Sequence, residues 1–330
     1  MNNFFKGSIL YFFVLILILS GCSSQDSSGS QDGNSEKYPT KSIQLIVPWG
    51  AGGDTDAIFR LVAKGLEKQL DQTVVVKNVE GGSGTVGAQK ALNADNDGYT
   101  LLAGHDSIAM SRLVGSADFG YFDFEPVALM TSTYDAVATS PENPWDNMED
   151  VVKDANEHNG ELSFAASLGS TSQLEPALIQ TAADIKFNII GYEGTAKRMK
   201  AVVGNHVDFG GVSVVAGKEY LKDDKMKLLG YLGPERSPIL PDVPTLKEQG
   251  IDVVSATNRG VYAPKGTPES IVKKMSKALK KVANSQAFKD KMKSLGTDVN
   301  YKGYKEFSDF LNENQKNMKD ALEKSGLSKQ

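Results

Sequence analysis

The sequence predicts an α/β fold in two halves, and three observations predict it. Residues 43–57 read as a buried strand, a glycine turn and the start of a helix. Residues 162–183 repeat that order. The chain beyond Lys37 is long enough to bury a sizeable core, which prompts an expectation of two domains.

The first segment reads as an export signal. One cation, Lys6, precedes a short apolar run, and Leu19-Ser-Gly-Cys22 closes it. The run is shorter than the roughly twenty residues that a membrane span needs. Cys22 is the single Cys in the chain, so no internal disulfide is available. Residues 23–37 carry no apolar side chain and read as a flexible tether of about 20 Å end to end. The formal charge is −5, which argues against nucleic acid as a partner. A small anion stays open, because local N–H groups outweigh the global charge.

In the opening unit Ile43, Leu45, Ile46 and Val47 form the strand, and Pro48 stops it. Gly50, Gly52 and Gly53 are expected to take positive φ and allow close approach to a ligand. Thr55 and Asp56 are helix N-cap types, ahead of the apolar face Ile58, Leu61, Val62, Leu66 and Leu70. A helix starting there directs free N–H groups and its positive dipole end at one spot, which favours an anion. A second strand at 73–79 leads into Gly82-Ser-Gly-Thr-Val-Gly87, a literal G-x-G-x-x-G. An exported chain does not meet a dinucleotide, so a plain strand-to-helix turn is expected. A third strand at 99–103 runs into Gly104, His105, Asp106 and Ser107, where Ser107 offers a hydroxyl. A strand from 124 through 139 follows, then a helix at 145–156.

The second half opens with a strand at 162–166, a turn of Ser167, Gly169, Ser170, Thr171 and Ser172, and a helix at 174–183. Strand and turn recur at 187–195, with a helix at 196–203. Short strands are expected at 207–213, 226–232 and 258–264, the last two separated by a proline-rich crossing at 236–245. From 266 onward the chain reads as helical, with lysine-rich solvated faces. Ala165-Ala-Ser-Leu-Gly169 approximates a nucleophile elbow, so an exported serine hydrolase using Ser167 is the competing reading. It lacks a well-placed base: the chain has three His, and His206 follows Ser167 closely. No metal-ligating cluster and no acid–base pair of carboxylates stands out, so neither metal nor cofactor is expected, and no enzymatic activity.

The segments Val47-Pro-Trp-Gly-Ala-Gly-Gly-Asp-Thr-Asp56, Glu80-Gly-Gly-Ser-Gly-Thr-Val-Gly-Ala88, Asp97-Gly-Tyr-Thr-Leu-Leu102, Phe124-Glu-Pro-Val-Ala-Leu129, Arg236-Ser-Pro-Ile-Leu-Pro-Asp-Val-Pro-Thr245 and Ala263-Pro-Lys-Gly-Thr-Pro268, in that order, resemble the extracytoplasmic receptors of tripartite tricarboxylate transporters. Leu19 to Cys22 likewise resembles the bacterial lipobox, in which the Cys is lipidated. The resemblance implies a type II periplasmic-binding-protein fold, two α/β lobes with a ligand cleft between them. Lobe 1 would comprise 38–139 and 258–330, and lobe 2 would comprise 140–257. Carried over by position, Ala51, Gly52, Gly53, Asp54 and Thr55 would hold one carboxylate. Ser167, Gly169, Ser170, Thr171, Ser172, Gly194 and Thr195 would face it from the second lobe. The family often has Lys where this chain has Glu193, which implies a less cationic far end. The implied protein is a monomeric lipoprotein anchored through Cys22 outside the membrane. It would pass a small organic carboxylate to membrane permease subunits, or sense that ligand without transporting it.

Overall fold

The computed structural model describes residues 38–192 and 195–327. The signal segment, Cys22, Glu193 and Gly194 lie outside them. Two half-sheets are built on one plan. In the first, β1 (Ile43–Val47) lies between β2 (Val74–Asn78) and β3 (Thr100–His105), all parallel. Next come β9 (Ala256–Pro264), antiparallel to β3, and the first part of β4 (Phe124–Thr139). In the second, β5 (Ser163–Ala166) lies between β6 (Asn188–Gly191) and β7 (Phe209–Ser213), again parallel. The second part of β4 and then β8 (Lys227–Tyr231) complete it. So each lobe has the order second, first, third, returning strand, outer strand. Two α/β lobes with a cleft between them are what the resemblance implied.

The single 16-residue strand β4 serves both halves. Ala128–Ser132 pairs with β10 (Asp298–Gly303), and Asp135–Thr139 pairs with β7. Between these stretches, Thr133 and Tyr134 pair only with Thr257 and Ala256 of β9. Two adjacent strands therefore link the lobes.

Helices cover both faces of each half-sheet. In the first lobe α1 (Asp54–Leu70), α8 (Glu269–Asn284) and α9 (Gln286–Ser294) close one core, holding Ile58, Val62, Leu66, Met275 and Leu279. The stripe of α8 shows why it folds there: Ile271, Val272, Met275, Leu279 and Val282 are all buried, each contributing about 1.5–3 kcal/mol. On the opposite face α2 (Thr85–Leu92), α3 (Ser107–Leu113) and α10 (Tyr304–Lys324) bury Ala88, Met110, Phe307 and Leu311. In the second lobe α4 (Met148–Glu157) and α5 (Thr171–Ala183) cover Phe164 and Phe209. On its other face α6 (Thr195–Val203) and α7 (Val214–Lys222) bury Met199, Val202 and Val214.

The structure corrects several expectations. The tail is not wholly helical: β10 pairs along β4, and its mixed sequence hides it because it is half-buried on both faces. Helix α5 begins at Thr171, three residues before its apolar run. Thr55 and Asp56 do not cap α1, whose N-cap is Gly53. Only Gly52 of the first turn has positive φ, at 83°, whereas Gly53 is extended at φ −78°. The glycines of the G-x-G-x-x-G stretch serve packing. A Cβ at Gly84 would meet the Trp49 ring at 2.8 Å, and one at Gly87 would meet Pro48 and the Val79 carbonyl at 2.6 Å.

Candidate binding cleft

Both expected turns lie where open α/β sheets form a crevice, beyond the carboxyl ends of parallel strands. The first, between β1 and α1, is set by Asp56. Its buried carboxylate accepts from the Gly52 amide at 2.8 Å, from Arg60 Nε at 2.8 Å and from Asn78 Nδ2 at 2.9 Å. These bonds hold Asp56 below the usual carboxylate range, against the upward pull of burial. The Gly52 amide is therefore taken by the protein, contrary to its expected role. Gly53 N–H bonds loosely back to Gly50 at 3.4 Å. Ala51, Gly52, Gly53 and Asp54 remain exposed, at the positive end of α1.

Thr55 is buried, and Arg259 of β9 explains why. Arg259 Nε donates to Thr55 Oγ1 at 3.0 Å, and its Nη1 donates to Thr133 Oγ1 at 2.7 Å. The acceptor role leaves the Thr55 hydroxyl hydrogen free to point elsewhere. The second turn has its own arginine. Arg198 of α6 donates to Ser167 Oγ at 3.0 Å, to Ser172 Oγ at 3.2 Å and to Thr195 Oγ1 at 3.3 Å. One buried guanidinium thus stands under each turn, 6 % exposed for Arg198 and 5 % for Arg259. Neither arginine was singled out from the sequence. A cation inside an otherwise apolar helix face, as at Arg198 beside Met199, is the signal that was there to use.

The second turn is more self-satisfied than expected. Ser167 N–H donates to Ser172 Oγ at 2.9 Å, Gly169 N–H to Gln173 Oε1 at 2.7 Å, and Ser170 Oγ to the Ser167 carbonyl at 2.7 Å. Gly169 packs against the other lobe: its carbonyl accepts from Ser111 Oγ at 3.4 Å. Three further bonds cross between lobes. Thr171 N–H reaches Ser107 Oγ at 3.4 Å, Thr257 Oγ1 reaches Thr171 Oγ1 at 3.4 Å, and Ser83 Oγ reaches the Leu168 carbonyl at 3.3 Å. The lobes are in contact, so the arrangement is closed. Ser107, Thr171, Ser172 and Thr195 come to the same region as Thr55, whereas Gly194 lies outside the described residues.

Among the described residues none of the three histidines pairs with Ser167 as a base. Ser167 Oγ donates to the Tyr192 carbonyl at 2.8 Å and accepts from Arg198. His105 stacks on Trp49 at 3.6 Å, and its Nδ1 accepts from Ser107 N–H at 3.2 Å. Burial and the nearby Arg259 hold this imidazole well below its usual range, hence neutral. His158 pairs with Asp154 in α4, and His206 sits beside Gly204 after α6. Among the described residues no His, Cys, Asp and Glu cluster fits a metal, and no helix is long and apolar enough to cross a membrane.

Comparison with known proteins fits this architecture. Residues 58–327 match the model of the tripartite tricarboxylate transporter family receptor. The UPF0065 protein in the gbd 5′ region of Cupriavidus necator is 30 % identical over 299 residues, covering 89 % of this chain and 90 % of that protein. MatC from Rhodopseudomonas palustris, solved with bound malate, superposes with a TM-score of 0.76 at 26 % identity, covering 86 % of this chain and all of that one. The R. palustris protein Rpa4515, solved with adipate, gives a TM-score of 0.79 at 25 % identity, over 88 % of this chain and 99 % of that one. With its paired lobes, its facing turn-to-helix units and a family match spanning most of its length, this chain belongs to the receptor family of the tripartite tricarboxylate transporters.

Proposed function

We propose that this protein is an extracytoplasmic lipoprotein, anchored through Cys22, that captures a small organic carboxylate by lobe closure and delivers it to the membrane permease subunits of a tripartite transporter. The observation that carries the reading is the pair of buried arginines. Arg259 supports Thr55 in one lobe, and Arg198 supports Ser167, Ser172 and Thr195 in the other. Each guanidinium fixes hydroxyls at a helix start, where N–H groups and dipole favour an anion. The ligand-binding residues proposed are Ala51, Gly53, Asp54, Thr55, Ser107, Ser167, Ser170, Thr171, Ser172, Gly194 and Thr195. The malate and adipate held by relatives support a carboxylate as ligand.

Closure works by selection. A ligand touching both turns stabilises the closed state by its extra contacts there, and shifts the population accordingly. The hinge proposed is Thr133 and Tyr134 in β4 with Ala256 and Thr257 in β9, where the two linking strands pair only with each other. The protein binds rather than turns over its ligand.

The test is a melting-temperature series of the purified protein against a panel of mono-, di- and tricarboxylates. A ligand at a hundredfold excess over its dissociation constant adds about 2.7 kcal/mol, enough to raise the melting point by about 4–5 °C in a chain of this size. A flat panel argues against a carboxylate cleft. Loss of uptake of the identified ligand on gene deletion separates transport from sensing.

A further inference from the structure

Helices α8 and α9 carry a concentration of positive charge that the cleft does not use. Residues 269–294 hold eight lysines and two acids, in a chain whose formal charge is −5. All eight lysines are exposed. On α8, Lys273, Lys274, Lys277, Lys280 and Lys281 share one face, opposite the buried stripe of Ile271, Met275, Leu279 and Val282. Glu269 pairs with Lys273 at 3.0 Å. Among the described residues no acid pairs with Lys274, Lys277, Lys280 or Lys281. Lys277, Lys280 and Lys281 line one shallow pocket with Asn284 and Ser285, so three lysines crowd a single spot.

Solvation alone does not call for this arrangement. Like charges three and four residues apart on a helix repel and destabilise it. Lys277 has Lys273, Lys274, Lys280 and Lys281 all at those spacings. A face of mixed sign keeps a helix soluble without that repulsion. The exposed side of α10 is of the mixed kind, with Lys316, Lys319, Asp320 and Glu323. The place where the chain enters the fold suggests what the lysines meet. Tyr38 is buried beside Ile271 in the first turn of α8: a Cβ at Gly98 would lie 2.5 Å from Ile271 and 3.0 Å from Tyr38. Residues 23–37 separate Tyr38 from Cys22 and reach at most about 50 Å. Helix α8, with 16 residues, is about 24 Å long. A lipid on Cys22 therefore keeps the whole of α8 within reach of the surface that the lipid enters.

We propose that the lysine face of α8 rests on an anionic phospholipid surface and so orients the receptor on the membrane. The net negative charge of the chain does not prevent this. Charges interact over about 10 Å at ordinary ionic strength, so the lysines at the contact outweigh carboxylates farther away. Helix α8 covers a face of the first half-sheet, whereas the cleft lies beyond the ends of its strands. A surface under α8 leaves the cleft open. The orienting role rests on the lipoprotein reading above; the surface contact is tested without the lipid, so the two fail separately.

The test is co-sedimentation of the mature chain, carrying Cys22→Ser, with vesicles of phosphatidylcholine alone or mixed equally with phosphatidylglycerol. The expected result is binding to the mixed vesicles at least about tenfold tighter than to phosphatidylcholine, falling steeply as salt is raised. Replacing Lys274, Lys277, Lys280 and Lys281 by Gln should abolish that preference, and Lys277→Gln with Lys281→Gln should reduce it. Glutamine keeps the helix propensity, and melting temperatures establish that both variants are folded. Replacing the exposed Lys218, Lys222, Lys316 and Lys319 by Gln changes the net charge equally and should leave the preference in place. Equal binding to both vesicles overturns the proposal and leaves the α8 lysines to water or to an acidic protein surface. A preference that survives the α8 replacements, or that the control replacements remove as fully, also overturns it. None of these outcomes bears on carboxylate binding in the cleft.

Discussion

Arg259 Nε donates to Thr55 Oγ1 at 3.0 Å across 204 positions of sequence. This bond ties the second linking strand to the first turn of α1, so the part of the chain that connects the lobes also sets the rim of the cleft. The same guanidinium reaches Thr133 on the other linking strand at 2.7 Å. Arg259→Met should therefore act twice. It strands the buried Thr55 hydroxyl, takes one of the two partners of the Thr133 hydroxyl, which keeps Thr297, and removes the cation facing Asp54, Asp135 and Asp106, which lowers stability by about 2–3 kcal/mol. It also frees the Thr55 rotamer and weakens ligand binding by about tenfold or more. Urea unfolding and calorimetry read the two effects separately. Unchanged affinity in a folded variant would remove Arg259 from the site.

Arg198 should behave as its counterpart in the second lobe. Arg198→Leu removes the donor shared by Ser167, Ser172 and Thr195, and should weaken binding while costing about 1–3 kcal/mol of stability. The same loss of affinity is expected, at smaller cost, from Ser172→Ala, which deletes the acceptor of the Ser167 amide.

Glycine position in the first turn separates folding from binding. Gly53 is extended, and a Cβ there would sit 3.5 Å from the Gly50 carbonyl, an ordinary contact. Gly53→Val should keep the melting temperature within a few degrees yet block ligand approach and cut affinity by about tenfold or more. Gly52 has φ of 83°, so Gly52→Val should cost about 1–2 kcal/mol by backbone strain alone. A binding-competent Gly53→Val protein would place the ligand elsewhere.

Asp106 gives the fold a pH dependence of defined sign. Burial pushes its carboxyl up to about 6, against bonds from Tyr121, Asn258 and Asn314. Between about pH 4 and 6 the folded state therefore binds a proton that the unfolded chain releases. The Asp106 contribution favours folding below about pH 4 and is lost as pH rises through 6, a change of about 3 kcal/mol. Denaturant unfolding of the wild type and Asp106→Asn across pH 4–7 should show curves that diverge in this direction. Parallel curves would show that Asp106 does not titrate in this window.

Much of this protein follows from local sequence. The aliphatic run at β1 reads as a buried strand and the β-branched run at β2 as a strand beside it, and the stripes of α1 and α8 bury as their spacing dictates. The location of both turns follows as well, because glycine, serine and threonine between a strand and a helix leave few alternatives. What tertiary structure decided is which groups in those turns are available and what stands behind them. Asp56 takes the Gly52 amide, and Gln173 takes that of Gly169, because each side chain happens to reach back one helical turn. Arg198 and Arg259 come from separate elements, and no local pattern marks a buried charge whose partner lies far along the chain. β10 was hidden for the same reason: its pairing is with a strand some 170 positions earlier, and only that pairing makes its mixed sequence a strand. Periodicity reports which face of an element is buried; it carries no information about which distant side chain will meet it there.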